Sequence, residues 1–339
     1  MHWLISAPFI KRPGNDTWLQ PFVPDMKHTF QTIPAPYTHD RSRQQTNLSQ
    51  WFDYFKHGQK TWATSNHLQK KTGIITSFPQ LAITTGLHKR LSCKNTPLVA
   101  WTFNLGKLYE GPKKKLSQFA LSSVDLFIVH SKHEIDSYSQ WLHFPPEKFR
   151  FVPLQRPVRP IEYNEDQLKP FVLSMGTARR DYKLFFDVMS ELGYPTIVVA
   201  SNHSISDLKK PDNITILNNL TIQQCHELAQ KARVNVVPID NPATASGQVT
   251  LIESMMYARP TVVTKTIGTI DYVEDGETAL LIDPYEKNQM KQAIQSLWED
   301  PEKRSKLGAS ARAYVKENLS DSTAGKTLSA ILSEIECCK

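Results

Sequence analysis

Ala245-Ser246-Gly247-Gln248-Val249-Thr250-Leu251-Ile252-Glu253-Ser254-Met255-Met256 is the stretch that decides the fold. The apolar run Val234-Asn235-Val236-Val237-Pro238-Ile239 stands before it and reads as a buried strand. Pro260-Thr261-Val262-Val263-Thr264 stands after it and reads as a second. Between the two, Val249, Leu251, Ile252, Met255 and Met256 fall close to helical spacing. A small-residue loop around Ser246 and Gly247 therefore opens a helix directly after a strand. The first N–H groups of such a helix, those of Gln248, Val249 and Thr250, have no carbonyl partner within it, and the helix dipole stands behind them. That end is an anion site. Glu253 lies further along the helix, placed to accept hydrogen bonds from a polyol such as ribose.

Outward from this stretch, strands and helices alternate in both halves, which predicts parallel α/β sheets. The second half adds strands at 171–176, 195–201 and 214–218, with helices at 182–192, 222–232, 286–298, 301–318 and 321–336. The Asp300-Pro301-Glu302 start is a strong helix opening, with Pro at the first helical position. The first half predicts strands at 2–7, 73–78, 97–104 and 125–131, and helices at 47–63, 79–91, 114–122 and 132–142. Residues 8–46 are Pro-rich, polar and aperiodic, and read as an active-site loop plus irregular chain. Pro153, Pro157, Pro160 and Pro170 mark a linker. The expected division is a first domain at 1–155, a linker at 156–170, a second domain at 171–320 and a C-terminal helix at 321–339.

A chain of 339 residues suits two domains. Its 40% hydrophobic and 22% charged content is ordinary for a globular protein. No apolar run is long enough to span a bilayer, and the N-terminus lacks a basic region and a long apolar stretch. Cys93, Cys225, Cys337 and Cys338 form no zinc-type pair. A reducing cytoplasm is the expected home. The net charge of +7 hides an asymmetry: residues 1–160 carry 21 Lys/Arg against 9 Asp/Glu, and the remainder is acidic. A basic first half points to an anionic partner, whether a phosphorylated acceptor or the anionic inner face of a membrane touched peripherally. Lys113, Lys114, Lys115, Lys89 and Arg90 are the candidate contacts. No zinc-finger, RNP-type or helix-turn-helix pattern supports nucleic acid. Dinucleotide-binding and Walker glycine loops are absent, which argues against dehydrogenase and ATPase readings.

The 245–256 stretch, together with Ala258-Arg259-Pro260, Gly268-Thr269-Ile270-Asp271-Tyr272-Val273 and Asp275-Gly276-Glu277-Thr278-Ala279-Leu280-Leu281-Ile282, resembles the retaining glycosyltransferases of family four. The resemblance covers about residues 170 to 320. It implies an α/β chain of GT-B architecture: two Rossmann-like domains facing across a cleft, with the C-terminal helix crossing back to the first. It also implies a nucleoside diphosphate sugar as donor, a UDP-sugar first among the choices, with no cofactor and no metal. Glu253 matches the second Glu of the family's Glu-x7-Glu. Ala245 stands where the first Glu approaches the donor sugar, and Ser246-Gly247-Gln248 resembles a Ser-Gly-Gln version of the loop found in some members.

The same resemblance assigns further roles. Gly176-Thr177-Ala178-Arg179-Arg180 resembles the family's diphosphate loop, with Thr177 in place of its Arg and Arg180 about where its Lys stands. Arg binds phosphate bidentately and keeps its charge, so Arg180, ahead of Arg179, suits a departing diphosphate. Leu220 falls where members clamp the base. Asn104 stands where the family often has a His near the reaction centre; Asn can donate and accept hydrogen bonds but is no base. Gly14 falls in the loop after the first strand. The expected reaction moves a sugar to an acceptor with retention, the leaving phosphate oxygen helping to take the acceptor proton. Two alternatives stay open: a GT-B epimerase or hydrolase, and a non-catalytic sugar-nucleotide-binding partner subunit.

Overall fold

The four-residue runs Leu98–Trp101, Leu126–Val129 and Val234–Val237 bury every side chain. That is the signature of strands covered on both faces, which parallel sheets require. The computed structural model describes residues 1–12, 18–24, 27–38, 46–68 and 70–337. They form two compact units, Met1–Val152 with Ser322–Lys339, and Pro153–Asp321.

In chain order the first unit contains β1 (His2–Ser6), β2 (Thr29–Ile33), α1 (Leu48–His67), β3 (Thr72–Ser77), α2 (Pro79–Ser92), β4 (Leu98–Trp101), α3 (Pro112–Leu121), β5 (Leu126–Val129), α4 (His133–Leu142) and β6 (Phe149–Phe151). The sheet order is β2-β1-β3-β4-β5-β6, every neighbour parallel, with His2 opposite both Thr29 and Thr72. Alternation along the strands sends Leu4, Ile74, Leu98 and Phe127 to one face, under Trp62, Ala82, Leu121 and Trp141 of α1 to α4. Trp3, Ile5, Ile75, Val99 and Ile128 go to the other.

The second unit contains β7 (Val172–Met175), α5 (Tyr182–Leu192), β8 (Thr196–Val199), α6 (Asn202–Ile205), β9 (Ile214–Leu217), α7 (Ile222–Lys231), β10 (Val234–Val237), α8 (Gln248–Met256), β11 (Thr261–Thr264), β12 (Leu280–Ile282), α9 (Lys287–Glu299) and α10 (Pro301–Asn318). Its sheet order is β12-β11-β10-β7-β8-β9, again all parallel. The chain winds outward from β7 on one side and then, from β10, on the other. The crevice where open α/β sheets take ligands therefore lies between β7 and β10, beyond their carboxyl ends. The last helix, α11 (Asp321–Cys337), supplies Ala324, Leu328, Ile331 and Leu332 to cover the second face of the first sheet.

Four expectations need correction. Residues 8–46 are not all irregular: Thr29–Ile33 is an edge strand paired with β1. The strand expected at 97–104 ends at Trp101, because Thr102 turns the chain at φ 54°. Phe149–Phe151 and Leu280–Ile282 are additional strands. Lys89 is no surface contact: it is 6% exposed and donates to Asp125 Oδ2 at 2.7 Å. Cys338 lies outside the described residues. Among the described residues no helix is long and apolar enough to cross a membrane.

Candidate functional site

Two loops leave the sheet at the β7/β10 crevice, and the site is built from them. The loop after β10 ends at Gly247, the N-cap of α8, at φ 87°. A side chain is strained at that angle, and a Cβ there would stand 2.6 Å from Ile239 Cδ1. The first helical hydrogen bond of α8 runs from Leu251 N–H to the Gly247 carbonyl at 3.0 Å. Gln248, Val249 and Thr250 are thus the first three helical residues, and the helix provides no carbonyl for their N–H groups. Gln248 is buried and Val249 exposed. Ser246 precedes them, its Oγ buried without a hydrogen-bond partner.

The loop after β7 brings Arg180 to the same place. Its Nε donates to the Met175 carbonyl at 3.0 Å, Nη1 to the Ala178 carbonyl at 2.9 Å, and Nη2 to Thr250 Oγ1 at 3.0 Å. The guanidinium lies over Gly176, where a Cβ would meet Nη2 at 2.6 Å and where φ is 126°. The glycine is what lets the cation approach the end of β7. Burial lowers the Arg180 pKa from its usual value, opposed by Tyr182 and Asp240. One Asp240 oxygen, Oδ1, is buried without a hydrogen-bond partner. The structure thus brings Arg180, Ser246, Gly247, Gln248, Val249 and Thr250 together: a fixed cation bonded to the third residue of a helix whose first N–H groups point the same way as its dipole. Such an assembly suits a polyanion such as a diphosphate.

Thr177 and Arg179 sit on the exposed part of the loop. Thr177 accepts at its carbonyl from Ser204 Oγ at 3.1 Å, and Arg179 adopts φ 56°. Leu220 is half-buried in the turn between β9 and α7, after Asn219 at φ 54°. Glu253 is held rather than free to move: its carboxylate is 16% exposed, ion-paired with Arg156 and 3.6 Å from His226 Nε2. Arg156, 97 residues away in sequence, is the site residue that sequence reasoning missed. Its place in a Pro-rich segment gives no local signal.

Asn104 belongs to the first unit, in the loop after β4. Its Oδ1 accepts from Gly106 N–H at 2.9 Å, so the acceptor half of the amide closes a turn. That loop is tied to α4: Leu105 N–H donates to Tyr138 Oη at 3.0 Å, and Tyr138 in turn donates to buried Glu134 at 2.7 Å. Gly14 lies outside the described residues.

Residues 199–314 match the family model for glycosyl transferases group 1. The segment takes in Leu220, Gly247, the N-terminus of α8 and Glu253. A D-rhamnosyltransferase of Pseudomonas aeruginosa is 26% identical over 168 residues, 46% of this chain and 44% of that protein. The match thus spans less than half the length of that curated relative. Among solved structures, sucrose-phosphate synthase from Thermosynechococcus elongatus superposes with a TM-score of 0.73 at 16% identity, over 100% of this chain and 99% of that one. The Anabaena protein HepE, determined in complex with UDP, gives 0.67 at 15% identity, over 98% and 100%. The fold is that of the GT-B glycosyltransferases: two six-stranded parallel, Rossmann-like domains.

Proposed function

We propose that the protein is a retaining glycosyltransferase that moves a sugar from a nucleoside diphosphate sugar to an acceptor. The observation that carries this reading is the bond between Arg180 and Thr250 at the N-terminus of α8, in the crevice between β7 and β10. Positive charge from the guanidinium and the helix end is fixed before a ligand arrives, where a leaving diphosphate needs it. Glu253, further along the same helix, would accept from ribose. The reading needs no cofactor and no metal. A UDP-sugar is the favoured donor, supported by HepE, which has been determined in complex with UDP and with UDP-glucose. The acceptor proton would pass to the leaving phosphate oxygen, and Asn104 would hydrogen-bond near the reacting sugar. The acceptor would be met by the basic first half, with peripheral contact at an anionic membrane surface.

A thermal-shift panel of UDP, GDP and ADP, followed by assays of the matching sugar donors, tests the reading. Stabilisation by one nucleotide and release of that diphosphate from its sugar donor would support it. No shift with any of the three would sink it. A non-catalytic sugar-nucleotide-binding subunit is the second reading, favoured by Ala245 at the position of a carboxylate; binding without turnover would select it.

A further inference from the structure

Arg156 and Glu253 meet half-buried in the second unit. Arg156 Nε donates to Glu253 Oε1 at 3.0 Å, and Nη2 reaches the same oxygen. His226 Nε2, buried and without a hydrogen-bond partner, stands 3.6 Å from that oxygen too. Among the described residues Oε2 receives no hydrogen bond. The grip is therefore one-sided: two guanidinium donors share one carboxylate oxygen, where the usual fork-to-fork pair would occupy both.

Arg156 can hold this position because its backbone is fixed. Its N–H donates to the Leu319 carbonyl at 3.0 Å, and it bridges to Ser320. Two residues earlier, Leu154 N–H donates to the Tyr272 hydroxyl at 2.8 Å. Pro153 and Pro157 flank the segment and limit its backbone. A Glu side chain has several rotamers, and a carboxylate has about four acceptor positions. Engaging only Oε1 fixes the rotamer and leaves the acceptor positions of Oε2 unused by Arg156.

We infer that Arg156 is a positioning residue for ribose recognition: it turns Glu253 so that Oε2 accepts from the ribose hydroxyls of a bound nucleoside diphosphate. This rests on the nucleotide-sugar reading above. Without Arg156 the carboxylate regains its rotamers, and the hydroxyl bonds lose their pre-organisation. Contacts to phosphate and base do not pass through Arg156 and should stay.

The test is calorimetry on the full chain with UDP, GDP and ADP, each beside its 2′,3′-dideoxy counterpart. The wild type should bind one of the three about tenfold more tightly than its dideoxy form, the scale of hydrogen bonds to a charged group. Arg156→Ala should shrink that ratio to about twofold or less while the dideoxy affinity holds. Arg156→Lys keeps the cation but offers a point donor, so its ratio should fall between the two at an unchanged melting temperature. A variant that keeps the full ribose preference overturns the inference. So does one that loses both nucleotides equally, which marks a structural role, or one that gains affinity for both, which marks Arg156 as an obstacle. Should Arg156→Ala fail to fold, the Lys variant decides, and a wild-type ratio there overturns the inference. A wild type that binds none of the three nucleotides refutes the nucleotide-sugar reading itself, a different result from a preference that survives the substitution.

Discussion

Arg180 commits donors to Met175, Ala178 and Thr250, which leaves two of its five N–H groups without a partner among the described residues. A cation so tethered does not reorganise when charge appears on a leaving diphosphate, so its effect should be larger in the transition state than in the bound donor. Arg180→Ala is expected to lower kcat on the order of 100-fold and to change donor KM only a few-fold. Steady-state kinetics beside a melting curve checks this; normal turnover would shift the phosphate role to Arg179 or remove it from the loop. Two other buried residues set a pH response. His57 donates or accepts among Ser6, Ile33 and Tyr37, and His130 Nδ1 donates to the Val152 carbonyl at 2.7 Å. Burial pushes the pKa of each down to about 4, with Lys60 and Lys11 adding to the effect at His57 and the backbone hydrogen bonds opposing it. An unfolded His titrates near 6.5, so between those values the unfolded chain binds protons that the folded chain does not. Stability is then full above about pH 6.5 and falls as pH drops toward 4, on the order of 3 kcal/mol for each His. His130→Asn, whose amide can still donate to Val152, should flatten part of that slope in melts from pH 7.5 to 4.5. An unchanged slope would show that His130 is not the group responsible.

Helices α5 and α10 start and stop where local chemistry dictates. Asp181 accepts from Leu184 N–H and Gly193 closes α5 at φ 68°, while Asp300 accepts from Lys303 N–H with Pro301 in the first turn of α10. Both ranges are readable from sequence because their signals lie within four residues of the boundary. The anion loop is readable for the same reason: the strand, Gly247 and the helix are contiguous. Strand β2 is not. Only Ile33 of its five residues is fully buried, as suits a polar edge strand, and its partner β1 lies more than twenty residues away. The state of Glu253 is equally non-local, since its partner comes from the far side of β7 to β10 in sequence. Helix α11 shows what long-range pairing does for stability. It shares one buried cluster with Trp3, Ile5, Val99 and Ile128, beside Ile10 and Leu19, so residues 321–337 complete the core formed around β1. Ion pairs tie it down: Arg150 to Glu334 at 2.7 Å and the N-terminal ammonium to Glu336 at 3.2 Å. The Arg150–Glu334 pair is exposed enough to add little beside the apolar contact. Leu328 is fully buried, and Leu328→Ala should cost about 2–5 kcal/mol. Denaturant titration of the full chain measures it; a loss below about 1 kcal/mol would mean that α11 merely rests on the sheet.

Over the whole molecule, a net charge of +7 combines a basic first half with an acidic second. The basic excess meets exposed apolar side chains on α1, where Lys56 lies over Phe52, and again where α2 and α3 adjoin. Leu91 at the end of α2 is 67% exposed, and Leu116 and Phe119 of α3 are 57% and 45% exposed. Arg90 lies 5.7 Å from the Phe119 ring centre, which joins the two helices into one patch, and Lys113 lies over Tyr109. Lys114 pairs with Glu110, while Lys89, buried on Asp125, takes no part. Under the peripheral membrane contact proposed above, these apolar groups would rest at the headgroup boundary and the cations would meet anionic lipid. A soluble anionic acceptor would call on the cations alone. Flotation with phosphatidylserine-containing and neutral phosphatidylcholine vesicles, at low and physiological salt, separates the two. Binding to the anionic vesicles should weaken as salt shortens the Debye length toward about 8 Å. Each basic residue near the surface contributes about 1 kcal/mol, so changing Lys113, Lys114 and Lys115 together to Gln should weaken binding on the order of 100-fold. Leu116→Ser with Phe119→Ser should weaken it as well, at unchanged charge. That second loss is the deciding one, because simple ion attraction does not require it. Binding that survives the loss of Leu116 and Phe119 would reduce the patch to an electrostatic surface. Indifference to anionic vesicles at low salt would leave the basic half to an acceptor that carries its own phosphate.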